Sequence, residues 1–191
     1  NRHPTHDVKF RRARIGGTFR GDEPPNRDSH LLKRELIQTV EVPGGRSKMS
    51  LQKQGTEYSI WVDGVPLMTT RKHGSEEALA DLGCAHLQGN IGGQILVGGL
   101  GMGFTLAATL KIVGLDAKVV VAELVPAVHE WNRDHLGEFA GFPLRDPRVA
   151  VEIADVADVL QRSPGTFDAI LLDVDNGPSG MTQDSNNWLY G

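Results

Sequence analysis

The residues best suited to chemistry are three spaced glycines and a set of carboxylates that close apolar runs. Ile95-Leu96-Val97-Gly98 is short and apolar, and Gly99-Leu100-Gly101-Met102-Gly103 follows it with glycine at every second position. Phe104 to Ile112 then reads as a helix. A strand, a tight turn and a helix start in this order let backbone approach a ligand closely and offer it unpaired N–H groups. Twenty residues past Gly103, Lys118-Val119-Val120-Val121-Ala122-Glu123 is a second buried strand ending in a carboxylate. In nucleotide-binding βαβ units an acid at that place accepts hydrogen bonds from ribose hydroxyls. The dinucleotide form G-x-G-x-x-G is absent, because Phe104 stands where its third glycine would be. The expected ligand is therefore a nucleoside without a pyrophosphate, such as S-adenosylmethionine, rather than NAD or FAD. It would lie across Gly99, Gly101 and Gly103 with Glu123 on its ribose.

Two more apolar runs end in acids. Val149-Ala150-Val151-Glu152-Ile153-Ala154-Asp155 suits either a ligand contact or the cap of a helix opening at Val156. Phe167-Asp168-Ala169-Ile170-Leu171-Leu172-Asp173 runs into Val174-Asp175-Asn176-Gly177-Pro178. There a strand delivers two carboxylates, Asp173 and Asp175, to one turn. Adjacent carboxylates push one pKa up, which produces a base near neutrality. A turn rich in Asp, Asn, Gly and Pro for its own geometry is the plainer reading of the same residues.

Positioning these groups requires a sheet. Strands are expected at 94–98, 118–123, 149–153 and 167–173, alternating with helices at 104–112, 126–136 and 156–161. Pro126 sits in the first turn of the second helix. This alternation predicts an α/β fold, a Rossmann-like parallel sheet with helices on both faces and ligands at the carboxyl ends of its strands. Before it, 36–42, 49–53 and 57–61 read as short strands, and Asp63-Gly64 between Ile60-Trp61-Val62 and Val65-Pro66-Leu67-Met68 signals a hairpin. Ser75 is placed to cap a helix running to about Leu87, with Glu76 and Glu77 in its first turn and Leu79, Leu82 and Leu87 on its apolar face. Three regions follow: a basic, poorly ordered arm over 1–30 that contains Arg11, Arg12 and Arg14; a β-hairpin unit over 31–72; and a nucleoside-binding α/β domain over 73–191.

Composition narrows the partners. The chain has 191 residues, 39% hydrophobic and 23% charged, as expected of a globular domain large enough to bury a core. A net charge of -4 argues against nucleic acid or an anionic membrane as the main partner. The lone Cys84 excludes an intrachain disulfide and suits a reducing cytoplasm. No apolar run reaches the ~18 residues of a membrane span. The seven histidines show no metal-binding spacing, His129 and His135 read as helix-surface residues, and no metal is expected. Trp61 and Trp131 read as core or interface residues. Because the first residue is Asn1, the chain is expected to start inside a longer product.

From Glu35 to Gly180 the sequence resembles the spermidine synthase family, aminopropyltransferases built on the class I methyltransferase fold. The resemblance rests on the Asp63-Gly64 hairpin, the acidic helix start at Ser75-Glu76-Glu77 and the glycine turn through Leu106. It extends to Glu123, Asp146-Pro147-Arg148-Val149, Asp155, and the stretch from Asp173 to Pro178. It implies S-adenosylmethionine or its decarboxylated form as co-substrate, with Glu123 on ribose and Asp155 on the adenine amino group. Asp173 would be the acid that deprotonates an attacking amine, within a homodimer. It also implies a seven-stranded sheet, and the chain stops before the last two strands. The family's acid for the donor's terminal amine falls on Met102, its polyamine-contacting aromatic and His or Gln on Leu79 and Ala80, and its second turn acid on Asn176. The expectation is thus a transferase moving a methyl or aminopropyl group to a small acceptor, an amine. The alternative is a non-catalytic relative that keeps the fold for assembly or regulation.

Overall fold

The computed structural model describes residues 33–88 and 92–174. The expected arm over 1–30, together with Asp175 and Asn176, lies outside the described residues. The described residues form one compact unit.

Four strands open it: β1 (Glu35–Glu41), β2 (Lys48–Gln54), β3 (Glu57–Val62) and β4 (Val65–Thr69), an antiparallel sheet in chain order. The β3–β4 turn is the expected Asp63-Gly64 hairpin. Both residues have positive φ, and Asp63 Oδ1 accepts the Lys48 N–H at 2.7 Å. Alternation puts Met49, Leu51, Tyr58, Ile60 and Val62 on the buried face.

The second sheet is parallel, in the order β7-β6-β5-β8, from β5 (Gln94–Gly98), β6 (Lys118–Glu123), β7 (Val149–Ile153) and β8 (Ala169–Leu172). Helices α1 (Gly74–Gly83), α2 (Phe104–Ile112), α3 (Pro126–Trp131) and α4 (Val156–Arg162) surround it. Its central strands are apolar on both faces, as strands covered on both sides must be. Ile95, Val97, Val119 and Val121 face a core shared with the antiparallel sheet, while Leu96 and Ala122 face Val156 and Val159 of α4. The antiparallel sheet is tied to this unit by Trp131, 2% exposed, whose indole N–H donates to Gln38 Oε1 at 2.6 Å. Tyr58 adds ring contacts to His135 and Phe139 at 5.9 and 5.8 Å.

The structure corrects several local expectations. Helix α1 starts at Gly74, one residue before Ser75, so Ser75 is inside the helix and its hydroxyl donates to Glu76 rather than capping. The helix ends at Gly83 and only a 3-10 turn, Ala85–Leu87, continues it. Leu82 is 80% exposed and forms no part of the apolar face. The helix expected over 126–136 is α-helical only to Trp131 and becomes a π turn over Asn132–Leu136. His135 is half-buried against Tyr58 rather than on the surface. Among the described residues, no helix is long and apolar enough to cross a membrane.

Candidate active site

The parallel register brings the strand ends together. Gly99 N–H donates to the Ala122 carbonyl at 2.8 Å, Asp173 N–H to Gly98 at 2.8 Å, and Ala154 N–H to Glu123 at 3.0 Å. The three acids picked from sequence therefore meet at one edge of the sheet. They line a single cleft of about 670 Å³ with Gly99 and Gly101. Apolar side chains of the antiparallel sheet, Met49, Ile60, Leu67 and Met68 among them, close the opposite wall.

Gly99, Gly101 and Gly103 all have positive φ. At Gly99 the requirement is also steric, because a Cβ there would lie 2.3 Å from the Asp173 carbonyl oxygen. The turn is thus pressed against the end of β8, which draws the Asp173 backbone up to the glycines. Gly103, by contrast, abuts Asn132 and Pro143 and does not line the cleft.

Glu123 is 6% exposed. Its Oε2 accepts the Leu100 N–H and its Oε1 the Val125 N–H, each at 2.8 Å. Burial pushes its pKa up against these bonds, which favour the ionised form. The carboxylate therefore latches the glycine turn to the end of β6 in addition to lining the cleft. Nothing in the sequence motif announced that second task. Glu123 also lines the cleft, so a ribose contact is compatible with this task.

Asp155 lines the cleft and also caps α4, accepting the Ala157 N–H at 2.9 Å. The two readings of this residue are therefore not exclusive. Asp173 sits just past β8, half-buried, and its Oδ2 accepts the Thr105 hydroxyl at 2.6 Å. Burial raises its pKa, the Thr105 bond opposes that rise, and the Glu76 carboxylate adds to it.

Thr105 and Glu76 escaped the reading of the sequence. Thr105 looked like an ordinary first-turn helix residue, and Glu76 like a dipole-compensating acid. Leu79 and Ala80, the positions matched to polyamine contacts, do not line the cleft: Leu79 packs on the core and Ala80 is fully buried. The side chain of α1 that acts on Asp173 is Glu76. Met102 is 3% exposed within the core and also lies outside the cleft lining. Among the described residues, no group of three His, Cys, Asp or Glu side chains is arranged to hold a metal.

A parallel sheet carrying a small antiparallel sheet, with its cleft at the strands' carboxyl ends, defines the methyltransferase-like fold of spermidine synthases. The chain is similar to the crystal structure of a spermidine synthase in complex with the transition-state analogue AdoDATO. The TM-score is 0.61 at 23% identity, covering 74% of this chain and 49% of that one. Spermidine synthase from Thermotoga maritima gives a TM-score of 0.60 at 23% identity, covering 72% and 47%. In sequence, the chain is 35% identical over 95 residues to the polyamine aminopropyltransferase of Synechococcus sp. (strain JA-2-3B'a(2-13)), 48% of this chain and 30% of that protein. No family model matches the chain. These likenesses bear out the resemblance to the spermidine synthase family, while the chain spans about half the length of the solved relatives and less of the curated one.

Proposed function

We propose that this cleft binds decarboxylated S-adenosylmethionine and transfers its aminopropyl group to an amine. The observation that carries the reading is the convergence of Gly99, Gly101, Glu123, Asp155 and Asp173 on one cleft whose other wall is apolar. In this reading Glu123 takes the ribose hydroxyls, Asp155 the adenine amino group, and the apolar wall excludes water from the sulfonium. The acceptor nitrogen forms a bond to the propyl carbon attached to sulfur. The C–S bond breaks with its electron pair on sulfur, releasing methylthioadenosine, and Asp173 takes the proton lost by nitrogen. Asp175, in the turn after Asp173, is proposed to assist in the same step. The chemistry draws on position, desolvation and one base. It uses no metal.

Methyl transfer from S-adenosylmethionine is the second reading. It gains ground because the family's polyamine-contact positions fall on Leu79 and Ala80, neither of which lines the cleft. The products separate the two: methylthioadenosine with an aminopropylated amine, against S-adenosylhomocysteine with a methylated acceptor. The reading as a whole rests on adenosyl binding, measured by calorimetry with methylthioadenosine and both donors. Glu123→Ala should weaken that binding by about 1.5–3 kcal/mol, the loss of charge-assisted hydrogen bonds. If no adenosyl ligand binds the parent chain, the proposal fails.

A further inference from the structure

The apolar wall of the cleft owes its shape to an irregularity in β4. Val62 pairs with Val65 and Trp61 with Pro66, but Ile60 then pairs with Met68, so Leu67 is the extra residue of a β-bulge. In an unbroken register Met68 would stand opposite Ser59, on the other face of the sheet. One inserted residue reverses the alternation of every side chain beyond it. The bulge therefore turns Met68 inward beside Ile60, and Leu67 and Met68 both line the cleft although they are neighbours in the chain.

Turned inward, Met68 rests on the glycine turn. A Cβ at Gly101 would lie 3.2 Å from Met68 Sδ and 3.3 Å from its Cε, so the thioether reaches the turn from the opposite wall. Its place along a ligand follows from the sheet. The strands stand in the order β7-β6-β5-β8, and their successive ends carry Asp155, Glu123, the glycine turn and Asp173. With an adenosyl ligand in the cleft, adenine, ribose, sulfur and the transferred group take those ends in turn. Gly101 then belongs to the sulfur and the carbons beyond it, and Met68 faces them. Met68 also packs against the core, which limits how far it can yield.

Building on the adenosyl reading, we propose that Met68 is a specificity-determining residue. It narrows the cleft beside Gly101, so that an adenosyl ligand is held tightly only when the chain on its sulfur is unbranched. The aminopropyl chain of the decarboxylated donor is unbranched. The chain of S-adenosylmethionine branches at its third carbon, where it carries both an amino and a carboxyl group. Close-packed walls tolerate an added carbon poorly, so one side chain at this point selects by shape, whatever the charge of the branch.

The test uses three uncharged thioethers on the full chain: methylthioadenosine, 5′-butylthioadenosine and 5′-(3-methylbutyl)thioadenosine. The last differs from the second by a single methyl on the third carbon. Calorimetry should show the butyl compound binding about tenfold more tightly than its branched partner. Met68→Val suits a strand but is too short to reach Gly101, and it should bring that ratio close to one. Met68→Leu keeps most of the bulk and should keep most of the preference. The ratio is taken within each variant, so a general loss of affinity cancels. Equal affinity for the two compounds in the parent chain, or a preference that survives Met68→Val, overturns the selection by Met68 and leaves the adenosyl reading standing. If none of the three binds the parent chain, the adenosyl reading itself fails and the role of Met68 falls with it.

Discussion

Asp173 and Glu123 are both held above the ordinary carboxylate range by burial, but their surroundings suit them to different work. Glu123 is tied by backbone N–H groups, those of Leu100 and Val125 among them, and serves as a fixed anion. Asp173 has one hydroxyl partner and faces the cleft, so its proton can come and go. Asp173→Asn is expected to slow turnover by ~10²–10⁴ while methylthioadenosine affinity stays nearly constant, checked by steady-state kinetics and calorimetry. The same variant should melt higher at neutral pH. A folded pKa above the unfolded one contributes stability below the unfolded pKa and loses it as pH rises through the folded value. Ionised Asp173 is therefore a burden at neutral pH that Asn does not carry, and the gap in melting temperature should close as pH falls. Thr105→Val provides a finer check. It keeps the shape of this buried side chain and removes the bond that favours the ionised carboxylate. The acid limb of the kcat/KM profile should move to higher pH, and an unmoved limb would assign it to another group.

At the scale of elements, Arg148 shows how a recognisable motif can be structural. Its guanidinium donates to Asp146 and to the carbonyls of Leu110, Val113 and Gly114, at 2.8–3.1 Å. It thereby satisfies the end of α2, where helix carbonyls lack partners, and fastens it to the start of β7. Asp146 is held below its usual pKa by this pairing, so its contribution is present above the unfolded pKa and lost as acid titrates it. Arg148→Lys should cost about 1.5–3 kcal/mol in denaturant unfolding, because an ammonium cannot reproduce the fork. The parallel strands, the hairpin and the strand-end acids were legible because apolar runs, Asp-Gly and glycine spacing act locally. The π turn was not: Asn132 spends its side chain on the Val128 and Gly101 carbonyls, a tertiary bond that helical periodicity does not encode. The same holds for the Glu123 latch and for Glu76, whose tasks depend on neighbours distant in the chain. Ser75 misled because cap chemistry is weak, and the helix began two residues early, with His73 at the cap position.

For the molecule as a whole, the cleft exists only while the antiparallel sheet stays seated on the α/β unit, since each supplies one wall. That seating passes through Trp131, whose ring is buried and whose N–H is held by Gln38. The chain has three tryptophans, so replacing Trp61 and Trp188 with Phe leaves one indole at the joint. In that background Trp131 is a built-in optical gauge. Its emission should sit at short wavelength in the native protein and move to the red when denaturant parts the sheet from α3. Gln38→Leu should bring that colour change to a lower denaturant concentration. If the wavelength shift precedes loss of helical circular dichroism, the wall of the cleft opens before the fold melts, and a molecule bound there would be released first.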